Sequence, residues 1–206
     1  TRARLRRAKE TGDYSQITEQ EMLLMDQNPW LTLARDTQVP PRGRWRTCLF
    51  MGGRGAGKTR AGAEWLRWSL LQGGCRRAAL VGPTLHDVRE VMIDGTSGLR
   101  AIEPFGSLRP VYYPSRRVLV FDNGAEAHVF SAEDPDSLRG PQFDVAWCDE
   151  IGAWARGEAT WDTLQMGLRL GADPRCMATT TPRPVGLVQR LHGDVGTHLL
   201  QEATEA

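Results

Sequence analysis

Residues 52–59 read Gly-Gly-Arg-Gly-Ala-Gly-Lys-Thr, the spacing G-x-x-x-x-G-K-T. Few stretches of this length restrict a fold as much. Glycines let the backbone curl so that successive N–H groups point at one polyphosphate. Lys58 is then placed to reach the β- and γ-phosphates, and the Thr59 hydroxyl takes one position on a Mg²⁺ ion. The flanks complete the unit: residues 47–51 are an apolar, strand-like run, and residues 61–71 read as a helix. A strand, a loop and a helix in that order set the helix N-terminus and its dipole against the phosphates. Gly52, Gly53, Arg54, Gly55, Ala56, Gly57, Lys58, Thr59 and Arg60 are therefore the expected nucleotide ligands.

The rest of the chain alternates strand-like and helix-like runs. Residues 78–83 form a short apolar strand, after which Thr84 caps a helix through residues 87–92. A hairpin is expected over 117–130, because Asn123-Gly124 favours a tight turn. Strands follow at 143–148 and 176–180, and helices at 161–170 and 185–192; residues 95–114 are turn-rich. Residues 1–27 look helical and charged, Asn28-Pro29-Trp30 breaks them, and Pro40-Pro41-Arg42-Gly43 links to the first core strand. This pattern predicts an α/β fold, a P-loop NTPase of the ASCE type. Its central sheet is mostly parallel, flanked by helices on both faces, with an antiparallel hairpin at one edge. The expected division is a basic helical segment over 1–29 and an ATPase domain over 30–206.

Composition sets limits. The 206 residues suit one such domain, and the net charge of +1 excludes a chain that is basic throughout. Basic residues are dense only in the opening Thr1–Lys9, which reads either as a contact for nucleic acid or an anionic surface, or as a solvated helix end. No apolar run approaches a membrane span, and the start lacks the apolar core of a signal peptide. Cys48, Cys75, Cys148 and Cys176 show no C-x-x-C spacing, and the four histidines show no metal-ligand spacing. Buried thiols in a reducing, cytoplasmic setting are expected.

Residues 143–150 supply the second half of a site. An apolar strand ending in Asp149-Glu150 has the form of a Walker B motif: Asp149 would hold the Mg²⁺, and Glu150 would orient and polarise an attacking water. The acidic pair argues for hydrolysis, and the lack of an Asn-Lys-x-Asp element argues for ATP. Thr179-Thr180-Thr181, ending the next strand, reads as a sensor of the γ-phosphate or as an ordinary strand end. Arg54 lies within the phosphate loop. Arg139, Arg156 and Arg183 lie in loops that can face the nucleotide or a neighbouring subunit. Gln38, ahead of the first strand, reads as a reader of the adenine edge, with Trp30 or Trp45 as its aromatic companion.

These pieces together resemble the large terminase subunit of tailed bacteriophages, the ATPase that packages DNA. The wording is most similar to terminases of prophage-like elements and gene transfer agents. The resemblance is carried by GGRGAGKTRAGAEW, VGPTLHDVREVMIDGTSGLRAI, SAEDPDSLRGPQFDVAWCDEIGAW and ATTTPRPVGLVQRL. It covers about Trp30 to Leu191, with an Arg inside Walker A, a Ser137-Leu138-Arg139-Gly140 loop and a Thr180-Thr181-Pro182 coupling motif. It implies a Mg-dependent ATPase that drives double-stranded DNA through a portal protein into a procapsid. The partners it implies are the small terminase subunit and further copies in a ring, a pentamer. It places the protein in the cytoplasm of a bacterial host and, transiently, on the portal vertex. The family's second, RNase H-like nuclease domain has no counterpart in these residues, so no nuclease activity is expected of them. Two other readings share the Walker motifs: an ASCE ATPase of helicase or recombinase type, and a nucleotide-regulated assembly module.

Overall fold

The computed structural model describes residues 2–102 and 108–202, so residues 103–107 of the turn-rich stretch lie outside the described part. Eight strands form one sheet: β1 (Thr47–Gly52), β2 (Arg77–Gly82), β3 (Val111–Tyr113), β4 (Val118–Val120), β5 (Glu126–Ser131), β6 (Val145–Cys148), β7 (Arg175–Thr180) and β8 (Thr197–Glu202). Their order is β3-β4-β5-β2-β6-β7-β1-β8. The pairs from β5 through β8 are parallel; β3–β4 and β4–β5 are antiparallel. The mostly parallel sheet and the edge hairpin are as expected.

Both outer strands were missed by sequence reasoning. β3 has only three residues, too few to show a period of two. β8 reads Thr-His-Leu-Leu-Gln-Glu, with no alternation, and is half-buried because it closes the other edge.

Strand residues alternate between two cores, as the pleat requires. Ala78, Leu80, Val145 and Trp147 cluster with Leu66 and Leu70 of the helix after the phosphate loop, and with Val88 and Met92. Ala79, Val81, Ala146, Cys148 and Ala178 face the other way, toward Trp161, Leu164, Leu187, Val188 and Leu191. Helices therefore cover both faces. Each large side chain buried completely contributes roughly 1.5–3 kcal/mol.

The helices are α1 (Arg2–Thr11), α2 (Glu19–Gln27), α3 (Trp30–Leu33), α4 (Lys58–Leu71), α5 (Leu85–Asp87), α6 (Gly157–Gly167) and α7 (Gly186–Gly193). Thr84 caps α5 as expected, but the chain then widens into a π-helical turn, Val88–Ile93, which buries Val88, Met92 and Ile93. On α4, Gly62 meets the Walker B strand. A Cβ there would lie 2.2 Å from Trp147 Nε1, so only glycine lets the indole seat between helix and sheet.

The N-terminal segment is two helices, not one, because residues 12–18 break it and Thr18 with Glu21 forms a capping box that starts α2. Its basic side chains are largely engaged within the fold. Arg2 donates to the carbonyls of Ala34 and Arg35, Arg6 donates to Ala34, and Arg4 pairs with Glu21. Arg2 and Arg6 thus serve the carbonyl end of α3 while Leu5 and Ala8 are buried. The dense positive run is a helix, as expected, packed through Leu5 and Ala8, with Arg7 and Lys9 left exposed to solvent. Among the described residues, no helix is long and apolar enough to cross a membrane.

Candidate functional site

β7 lies between β1 and β6, with Met51 level with Thr180 and Cys148 level with Ala178. The phosphate loop, the Asp149-Glu150 turn and Thr179-Thr180-Thr181 therefore leave the sheet at the same end, where parallel α/β sheets bind ligands.

The phosphate loop takes left-handed backbone at Gly55 (φ 79°) and Gly57 (φ 75°). Gly57 begins α4 without a side-chain cap, so no side chain covers the first helical N–H groups. Lys58 Nζ sits within the loop and donates to the carbonyls of Gly52 and Gly53, both at 2.8 Å. Thr59 is half-buried in the first turn of α4. Arg54 is exposed and, among the described residues, makes no hydrogen bond or ion pair. Arg60 is turned elsewhere: its Nε lies 2.9 Å from Glu64 Oε1, and its guanidinium sits 5.5 Å over the Trp30 ring. That placement corrects the grouping of Arg60 with the phosphate ligands.

Asp149 is buried at the end of β6. Its backbone N–H donates to Val81, and its carbonyl accepts from Trp154 Nε1 at 3.0 Å. Thr179 Oγ1 donates to the Asp149 carboxylate. Burial raises that carboxyl to about 6 from its ordinary 3.8, although the Thr179 hydrogen bond and Lys58 pull it down; Glu150 and Asp87 push it up. A charged group held so against desolvation is suited to a divalent cation, which would supply the missing positive charge.

Glu150 adopts φ 49°, ψ 50°, a left-handed conformation that costs a non-glycine residue on the order of 1 kcal/mol or more. Its Oε1 accepts the Thr181 N–H at 2.8 Å. Thr180 Oγ1 accepts the Gly152 N–H at 3.1 Å. Each threonine of the triplet thus holds a different point of the 149–152 turn.

Gln38 reaches the phosphate loop, but differently from the expected adenine reader. It is 5% exposed, its Nε2 donates to Ala56 O at 3.0 Å, and its Oε1 accepts the Arg35 N–H at 2.9 Å. Both ends of the amide are occupied by the protein. Trp45 is also excluded as an adenine platform: it is buried against Trp65, with Arg175 stacked on it at 4.8 Å. Trp30 remains beside the start of α4.

Arg139 sits on an exposed turn, paired with Asp136 at 3.0 Å, and Arg156 is exposed just before α6. Arg183 lies nearer the acidic turn, since a Cβ on Gly152 would meet its side chain at 3.4 Å. Cys48, Cys148 and Cys176 are buried, as expected, and burial raises Cys48 to about 12. The sulfurs of Cys148 and Cys176 lie 3.7 Å apart, a proximity hidden by their separation along the chain. Among the described residues no cluster of His, Cys, Asp and Glu forms a metal site of its own. A cleft of about 720 Å³ lined by Arg42, Arg44 and Arg46 lies at the opposite end of β1 and β8, away from this chemistry.

The sequence profile described as "Terminase large subunit, T4likevirus-type, N-terminal" matches residues 49–190, well over half of the chain. The chain belongs to this family. Its fold is shared by solved packaging ATPases. The large terminase ATPase domain of Thermus phage P74-26 is similar with a TM-score of 0.58 and 18% identity, covering 79% of this chain and 77% of that one. The HK97 bacteriophage large terminase gives 0.58 and 16%, covering 87% and 39%. The N-terminal domain of the DNA packaging ATPase of bacteriophage phi29 gives 0.54 and 14%, covering 91% and 95%. At these identities the likeness shows the fold. The match to this terminase chain spans less than half the length of the HK97 protein. No curated protein matches it.

Proposed function

We propose that this terminase chain binds Mg-ATP at the phosphate loop, hydrolyses it, and uses the cycle to move double-stranded DNA. One observation carries the reading. Glu150 is held in strained backbone at the end of β6, tied through its carboxylate to Thr181, while Lys58 is close enough to lower the Asp149 carboxyl. A pure nucleotide binder has no use for a strained second carboxylate beside the first.

The roles follow from placement. The loop N–H groups from Gly53 to Thr59 cradle the phosphates, and Lys58 exchanges its two loop carbonyls for phosphate oxygens. The Thr59 hydroxyl and Asp149 would hold Mg²⁺, which would supply positive charge against the phosphates. Glu150 orients the attacking water and accepts its proton. Arg54, free at the loop tip, is the arginine for the developing γ-phosphate charge, with Arg139, Arg156 or Arg183 of a neighbouring copy as alternatives. Thr179, Thr180 and Thr181 report phosphate loss, because any motion of Glu150 pulls on the Thr181 backbone. We assign the ATPase unit to residues 30–206, with 1–29 as a helical appendage packed on it. We likewise propose procapsid packaging through a portal, with the small subunit and a ring of copies as partners, and no nuclease chemistry from these residues.

The test is steady-state ATP hydrolysis with Mg²⁺, beside Glu150→Ala. Turnover lost in the variant while ATP still binds supports the reading. Equal turnover in both removes Glu150 as the base, and ATP binding with no turnover under any condition, including added DNA and portal, overturns the reading in favour of an assembly module.

A further inference from the structure

The phosphate loop is glycine-rich, so it has few side chains with which to hold its own shape. It is held from outside. The Ala56 carbonyl accepts two donors, Arg35 Nη2 at 2.8 Å and Gln38 Nε2 at 3.0 Å. Arg35 and Gln38 are locked to each other across a short helical turn, because the Arg35 N–H donates to Gln38 Oε1. Arg35 also pairs with Glu202 Oε1 at 2.5 Å, and Thr37 Oγ1 donates to the second oxygen of that carboxylate at 2.8 Å. Glu202 stands opposite Gly52 in the β1–β8 register, at the root of the loop.

The geometry points to Arg35 and Gln38 as positioning residues that, anchored by Glu202, hold the Ala56–Gly57 peptide so that its N–H faces the nucleotide phosphates. A trans peptide directs its C=O and N–H oppositely. Two donors on the Ala56 carbonyl, one of them charged, therefore aim the Gly57 N–H away from the strap and into the loop. Gly57 is part of the fit, since a Cβ there would lie 2.3 Å from Gln38 Nε2. Holding the peptide before ligand arrives removes an ordering cost from binding. It also ties nucleotide affinity to β8, the edge strand on the far side of β1.

This inference rests on the nucleotide reading above and separates from it experimentally. Calorimetric titrations with ATP, GTP and inorganic tripolyphosphate compare the wild type with Gln38→Ala, Arg35→Ala, Arg35→Lys and Glu202→Gln. Thermal melts confirm that each variant is folded. Gln38→Ala and Arg35→Ala are expected to weaken ATP and tripolyphosphate alike, each by about 10-fold, with the ATP:GTP ratio unchanged. KM for ATP rises in step while kcat stays within about 3-fold. Arg35→Lys, which keeps one donor and the charge, recovers part of the affinity, and Glu202→Gln costs about 3-fold. Intact tripolyphosphate affinity with a lost preference for ATP over GTP overturns the inference and makes Gln38 a base reader. Unchanged affinities in folded variants also overturn it. A wild type that binds no polyphosphate overturns the nucleotide reading itself, and this inference with it.

Discussion

The two halves of the nucleotide site are held in opposite ways. The phosphate loop is fixed by groups distant in sequence: Arg35 and Gln38 before it grip its backbone from outside, and Glu202 far after it anchors Arg35. The acidic turn is fixed by its neighbour in the sheet, with Thr179, Thr180 and Thr181 bonded to Asp149, Gly152 and Glu150. The loop needs to be smooth and bare inside, where phosphates lie, so its support comes from behind. In the proposed cycle the turn moves when phosphate leaves, and the strand that supports it would carry the movement onward.

Removing the proposed base breaks this contrast most sharply. Glu150→Ala and Glu150→Gly should each reduce turnover by about 10²-fold or more while ATP affinity changes little. The pair also tests the strain. At an ordinary position glycine is the less stable of the two; at φ 49° the order should reverse, with Glu150→Gly melting at or above Glu150→Ala.

Thr179→Val comes next. It removes the hydroxyl that favours the ionised Asp149, so the half-saturating Mg²⁺ concentration should rise about 10-fold, read from the metal dependence of turnover. An unchanged Mg²⁺ requirement would show that the threonine is a strand residue and nothing more.

Gly62→Ala tests the joint between the halves. The new methyl meets Trp147, and the variant should lose about 1–3 kcal/mol, seen as a melting temperature several degrees lower.

The smallest effect is a gain. In metal-free protein at neutral pH, Asp149 is ionised at a cost, because its folded value of about 6 exceeds the ordinary 3.8. As pH falls through about 6, the folded state takes up a proton before the unfolded one does, so this contribution to stability improves toward pH 4. Asp149→Asn should therefore raise the metal-free melting temperature at pH 7.5 by about 2–5 °C and flatten its dependence between pH 4 and 6. Added Mg²⁺ should erase the difference by stabilising the wild type alone.

Local pattern determined a great deal here. The loop residues 52–59, the strand ending at Asp149-Glu150, the edge hairpin at Asn123-Gly124 and the alternating order of strands and helices were legible, because each depends on a short run of neighbours. Glycine spacing and apolar periodicity act over a few residues, and sequence displays them directly.

What only the tertiary structure decided depends on residues far apart. Gln38 looked like a base reader and proved to hold a backbone carbonyl, because its partner Ala56 is fixed by how the N-terminal segment folds back. Arg60 was assigned by adjacency to the loop, but one step along a helix turns a side chain about 100°, and its partners are Glu64 and Trp30. The basic run of α1 gave no sign of the α3 carbonyls it serves. β8, and with it Glu202, had no pattern to betray it, since an edge strand is buried on neither face strongly enough to impose one. Charge and hydrophobicity are written residue by residue; which carbonyl, ring or carboxylate each will meet is settled only when the sheet brings distant segments together.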